Sequence, residues 1–135
     1  MTFDPRDWLA IADHLLTIPD PGQQSRFRTA VNRAYYAPLI FLKRRIEEVK
    51  GDGTVPESGV HRKIRLALRK TGSRHLRRVE KKLEGLQEER ESADYALYRV
   101  PYDLRDVQDT VAKGKQLVAE IQSIPDRLLK NLRFD

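Results

Sequence analysis

A chain of 135 residues fits a single domain, 1–135, large enough to bury a core without disulfide or metal staples. The absence of cysteine excludes a thiolate nucleophile, a Cys-ligated zinc site and a disulfide framework, and matches a reducing cytosol. The formal net charge is +6 and unevenly spread: from His61 to Lys82 ten Lys and Arg residues face one acid, Glu80, leaving that segment at +9 and the remainder at −3.

Asp4-Pro5-Arg6-Asp7 reads as a helix start, with Asp4 as N-cap and Pro5 at the first helical position. Trp8, Ile11, Leu15 and Ile18 then repeat at helical spacing until Pro19-Asp20-Pro21-Gly22 stops them. A second, long helix opens near Gln23 to Ser25, with apolar positions running from Phe27 through Val31, Tyr35 and Leu42 to Val49. Pro38 lies inside it and is expected to kink or strain it, because proline removes a backbone donor and crowds the preceding turn. The Gly- and Pro-rich stretch Gly51 to Gly59 reads as a loop, and Val60, Ile64, Ala67 and Leu68 mark a short basic helix. After the break Thr71-Gly72-Ser73, Ser73 caps a helix carrying Leu76, Val79, Leu83 and Leu86. A loop near Arg99 to Tyr102 follows, and Asp103 caps a last long helix that ends near Pro125; residues 126–135 either extend it or fray. The expected fold is all-α, an antiparallel up-and-down bundle of four main helices with a short accessory helix.

Two charged intrusions interrupt the apolar pattern: Arg33-Ala34-Tyr35-Tyr36 in the long helix, and Arg90-Glu91-Ser92-Ala93-Asp94-Tyr95 further on. A charge among core positions is costly unless paired, so an Arg33 to Asp94 contact is the economical expectation. It reads either as an internal clasp, a structural polar core of Arg33, Tyr36 and Asp94, or as a substrate-facing cluster with Tyr95.

The two segments together resemble the paired signatures of the HEPN domain, a helical family of prokaryotic toxins, defence proteins and nucleotidyltransferase partners, in the branch with R-A-Y-Y and R-x-x-A-D-Y motifs. The resemblance covers most of the chain from Phe27 to the last long helix. It implies a cytoplasmic, homodimeric component of a toxin–antitoxin or antiviral module that binds RNA, and a metal-independent ribonuclease in which Arg contacts phosphate and a His four to six residues later moves a proton. Here that stretch holds no His, which leaves Arg90, Asp94 and Tyr95 as the catalytic candidates, with unperturbed Asp and Tyr titrating near 3.9 and 10, far from the neutral range suited to proton transfer. A second departure is Ile40, where many relatives carry His. Tyr95 is also, by position alone, a candidate for nucleotide attachment by a partner nucleotidyltransferase.

Elsewhere, Arg69 and His75 match the Arg, five residues, His spacing but straddle a helix break. His61 reads as a phosphate contact or a solvated helix terminus, and His14 packs or faces solvent. Arg62, Arg65 and Arg69 share one helical face and Arg74, Arg77, Arg78 and Lys81 another; both read as nucleic-acid contacts or as a solvated surface balanced by Glu84, Glu88, Glu89 and Glu91. No aromatics interleave with them, which favours phosphate contact over base stacking. No metal or cofactor is expected. No apolar run nears the roughly 18 residues that span a bilayer, and Met1 to Asp4 carries no leader pattern, so no membrane contact is expected either. The alternative to an RNA-directed role is a non-catalytic interaction subunit that docks a nucleotidyltransferase or other effector.

Overall fold

The computed structural model describes residues 4–18, 22–95 and 103–134, with the side chains of Asp94 and Tyr95 excepted. Every element among them is helical: α1 (Asp7–Leu15), α2 (Gln23–Lys50), α3 (Val60–Lys70), α4 (Arg74–Tyr95), α5 (Leu104–Gln122) and α6 (Asp126–Lys130). The 28-residue α2 is the spine, packed against α1, α4, α5 and α6, while α3 lies against α4.

Local signals account for several helix starts. The Ser73 hydroxyl accepts the Leu76 amide at 3.2 Å, and the Asp103 carboxylate accepts the Arg105 amide at 2.8 Å. Each satisfies a backbone donor that the helix itself leaves open. Asp4 performs this role one step early: its carboxylate takes the Arg6 amide at 2.9 Å in a lead-in turn, and the helix proper begins at Asp7. α1 also ends earlier than its apolar spacing implies, at Leu15, and buries Leu9 and Ala12 while Ile11 is 47% exposed and Ile18 37%. Ile11 and Ile18 therefore face away from the core, while Trp8 of the same stripe packs part-buried against Leu9, Ala37 and Val118.

The interior has two characters. Around the C-terminal half of α2, Tyr35, Leu39, Leu42 and Ile46 interlock with Ile64 and Leu68 of α3, Leu76, Val79 and Leu83 of α4, and Leu117 and Ile121 of α5. Residues 126–134 do not fray: Leu129 and Leu132 are buried in that cluster. Around its N-terminal half, Ala30, Val31 and Ala34 meet Ala12, Val107 and Val111 in a seam of mostly small side chains that also buries Phe27.

Pro38 sits in that spine without breaking it, since α2 is continuous and Pro38 is buried. Its missing N–H leaves the Ala34 carbonyl, four residues back, without the usual intrahelical donor. Gly114 of α5 packs there so closely that a Cβ on it would stand 2.6 Å from the Ala34 oxygen.

Cations of α2 close the chain elsewhere. Arg45 donates to the carbonyls of Ile121, Gln122 and Ile124 at 2.9–3.2 Å and pairs with Asp126, tying the end of α5 to α6. Arg28 donates to the Ala93 carbonyl at 2.7 Å near the end of α4. Both place positive charge where helix dipoles are negative. None of the described helices is long and apolar enough to cross a membrane.

Candidate functional site

Tyr35 and Tyr36 are consecutive on α2, so they point about a quarter-turn apart: Tyr35 is fully buried and Tyr36 half-buried. α3 crosses them with its first turn, where His61 Nδ1 lies 2.7 Å from the Tyr35 hydroxyl and its ring meets that of Tyr36 edge-on at 5.3 Å. Arg90 of α4 completes the cluster. Its guanidinium lies 5.6 Å from the Tyr35 ring centre and 5.5 Å from that of Tyr36, and it donates to the Tyr36 hydroxyl at 3.2 Å. Three helices thus contribute one cation, two phenols and one imidazole, held by hydrogen bonds and cation–π contacts.

Burial governs the protonation states. Desolvation pushes the Tyr35 phenol up to about 12, partly countered by Arg90, so Tyr35 is neutral at physiological pH. Desolvation also lowers His61 below its ordinary 6.5, with Arg90 adding to the effect, so His61 enters neutral. The Tyr35 bond occupies Nδ1 and fixes the ring, leaving Nε2 for any external group.

Glu80 is the hidden counterpart of the basic segment. Its side chain is 4% exposed, and one carboxylate oxygen accepts from Arg65 at 3.1 Å and from Arg69 at 2.8 Å. Arg65 also reaches Glu84 at 3.2 Å and Gln87 at 2.6 Å. Of the three expected contacts on α3, Arg65 and Arg69 are therefore spent largely on the α3–α4 joint, and Arg62 alone faces water without an ion pair among the described residues. His61, Arg62, Arg65, Leu66 and Arg69, with Gln87 of α4, line a groove of about 430 Å³.

The first two turns of α4 differ. Arg74, Arg77, Arg78 and Lys81 are all exposed, and no ion pair neutralises them among the described residues. With Lys82, which reaches Glu120 at 2.5 Å, they border a shallow depression of about 520 Å³. The first turn holds no acid, so these cations sit uncompensated at the positive end of the helix dipole. The glutamates that could have balanced them point elsewhere: Glu84 to Arg65, Glu91 to Gln87, and Glu88 and Glu89 to a cleft beside Lys113.

The remaining sequence-based candidates divide as follows. Arg33 lies 5.3 Å from the Trp8 ring and 3.3 Å from the Asn32 side-chain oxygen, directed toward α1, whereas Tyr36 turns toward Arg90; the structure does not bring these two together. The side chains of Asp94 and Tyr95, and with them the Arg33 to Asp94 contact, lie outside the described residues, as does the loop at 99–102. Arg69 pairs with Glu80, His75 is half-buried at the start of α4, Ile40 is half-buried on α2, and His14 faces solvent. His61 is the member that the sequence places at a helix terminus, and Glu80 the one to which it gives no role beyond being the lone acid of the basic segment. Glu80's isolation among ten cations was the available signal.

No protein-family model, curated protein or solved structure matches the chain.

The Tyr35 to His61 bond has a measurable signature. Because the folded state holds the phenol up to about 12 against an ordinary 10.0, its contribution is present below pH 10 and is lost as pH rises toward 12. Comparing wild type with Tyr35→Phe by chemical denaturation, the wild-type advantage of about 1 kcal/mol at pH 8 should shrink and reverse near pH 12, changing by on the order of 2 kcal/mol. Parallel stability curves for the two proteins from pH 9 to 12 would remove the buried, neutral phenol from this account.

Proposed function

We propose that the protein binds the phosphate backbone of RNA along the α4 ridge of Arg74, Arg77, Arg78 and Lys81, as a HEPN-like component of a toxin–antitoxin or antiviral module. The observation that carries this reading is the ridge itself: four exposed cations without ion pairs among the described residues, at the positive end of a helix, where self-repulsion is relieved by a polyanion. The finer architecture proposed is an antiparallel up-and-down arrangement of four main helices with α3 as accessory, functioning as a homodimer.

The triple charge reversal R74E/R77E/R78E tests this by fluorescence anisotropy with a single-stranded RNA across a salt series. Removing three contacts should flatten the plot of log affinity against log salt by about 2 and raise Kd on the order of tenfold to a hundredfold at low salt. An unchanged slope and Kd in a variant with native thermal unfolding would end the proposal.

A second reading is favoured by the way Arg90 is held. Its side chain is 15% exposed, stacked on two tyrosines and bonded to Tyr36, which suits a structural core better than a phosphate-contacting catalyst. On that reading the protein is a non-catalytic subunit that docks a nucleotidyltransferase or other effector. Arg90→Ala in a variant shown to fold separates this adaptor from a metal-independent ribonuclease in which Arg90 contacts phosphate. Loss of metal-independent RNA cleavage supports an enzyme, and retained partner assembly without nuclease activity in either protein supports the adaptor.

A further inference from the structure

We infer that the groove between α3 and α4 is a binding site for a phosphomonoester, held by Arg62 and the His61 Nε2 atom, and that its source is the terminal phosphate of an RNA lying on the adjoining ridge. The second part rests on the RNA-binding reading above; the first does not. The groove, about 430 Å³, is within the range of small-ligand pockets, and no carboxylate among the described residues lines it. Glu80 lies beneath it, almost fully buried, and binds Arg65 and Arg69 from below. With Glu84 also on Arg65, the groove's three guanidiniums meet two carboxylates among the described residues, which leaves one cation's worth of charge, and Arg62 is the one that no ion pair engages.

That surplus selects the ligand. A phosphodiester carries one negative charge, whereas a phosphomonoester carries about −1.5 to −2 near neutrality. Arg62 balances the first charge. The second is balanced when His61, neutral in the free protein, takes a proton and presents Nε2–H to the phosphate while its Nδ1 remains on Tyr35. Among the described residues, the charged and titratable groups around His61 are Tyr35 and Tyr36 of α2, Arg62 and Arg65 of its own helix, and Arg90 and Glu91 of α4. Leu66, 41% exposed in the same groove, supplies one apolar wall for a sugar or base edge.

Position ties the groove to the ridge. On α4, Glu80, Glu84 and Gln87 share one face, and Arg74, Arg77, Arg78 and Lys81 the face next to it, so a strand tracking the ridge can turn its end into the groove.

The test uses 5′-AMP, adenosine, and one oligoribonucleotide carrying a 5′-hydroxyl, a 5′-phosphate or a 3′-phosphate. AMP, and not adenosine, should move the His61 imidazole NMR signals, and calorimetry in buffers of different ionisation heat should show proton uptake on AMP binding near pH 7. Arg62→Glu, a change at an exposed position, should weaken AMP at least tenfold, whereas R74E/R77E/R78E should leave AMP binding within twofold. One phosphorylated oligonucleotide should bind wild type at least tenfold more tightly than the hydroxyl form, and Arg62→Glu should erase that preference without changing affinity for the hydroxyl form. AMP binding with no affinity for any oligonucleotide would uphold the groove and overturn its RNA source. No response of His61 to millimolar AMP would overturn the groove, whatever the ridge does.

Discussion

Replacing Gly114 by alanine is expected to destabilise the protein by about 2–3 kcal/mol, among the larger costs for adding a single methyl to a packed interior. The added Cβ would stand 2.6 Å from the Ala34 oxygen, 3.2 Å from the Ala34 Cα and 3.2 Å from a Leu9 methyl. Two of those atoms are backbone and cannot turn aside, so relief requires moving α5 away from α2 along the small-residue seam. Helix propensity works the other way, since alanine is favoured over glycine in a helix by about 1 kcal/mol. Gly85 of α4 isolates that opposing effect, because a Cβ there meets nothing within 4 Å. Gly85→Ala should therefore stabilise by about 0.5–1 kcal/mol, and the two alanine variants should move in opposite directions from wild type in urea denaturation. If Gly114→Ala matched Gly85→Ala, the close approach of α5 to the Ala34 carbonyl would be wrong.

Glu80→Ala should cost about 2–3 kcal/mol, and it should also strengthen RNA binding. Removing one member of a buried ion pair costs about 3–5 kcal/mol when the partners stay buried. Here the cost is discounted, because Arg69 is 58% exposed and Arg65 retains Glu84 and Gln87. The released guanidiniums lie beside the ridge, so the salt dependence of RNA affinity should steepen by about 1 as stability falls. Urea denaturation and RNA anisotropy on the same variant measure both. A stability change below about 0.5 kcal/mol would mean that Glu80 does not hold α3 to α4, and a lower RNA affinity in the folded variant would count against the ridge as the contact surface.

Much of the helical layout was legible because its signals are local. Ser73 and Asp103 cap the helices that follow them, Gly22 stands at the start of α2 and Gly51 at its end, and the periodic apolar residues of α2, α3 and α5 are largely the buried ones. α1 was misread because two stripes compete in nine residues, and the one with the larger side chains was not the one buried. Its buried face depends on how closely α2 and α5 allow it to approach. The expected consequence of Pro38 also turned on a neighbour: the defect is real in the backbone, but Gly114 of α5 covers it.

The candidate site was legible in its parts and not in its assembly. Tyr35, Tyr36 and Arg90 stand out in the sequence as polar residues among apolar ones, and the arginines of α3 and α4 stand out as a charge run. The partners they take lie 26, 54 and 15 positions away, in the Tyr35 to His61, Tyr36 to Arg90 and Arg65 to Glu80 contacts. By itself the sequence determined that the chain is helical, where most of its helices start, and that its positive charge is concentrated in one stretch, because caps, periodicity and charge act over a few residues. Only the tertiary structure decided which of those cations are spent on Glu80 and which face water, and that His61 is a fixed imidazole in place of a solvated helix terminus. Burial and pairing depend on what the other helices bring to the same point.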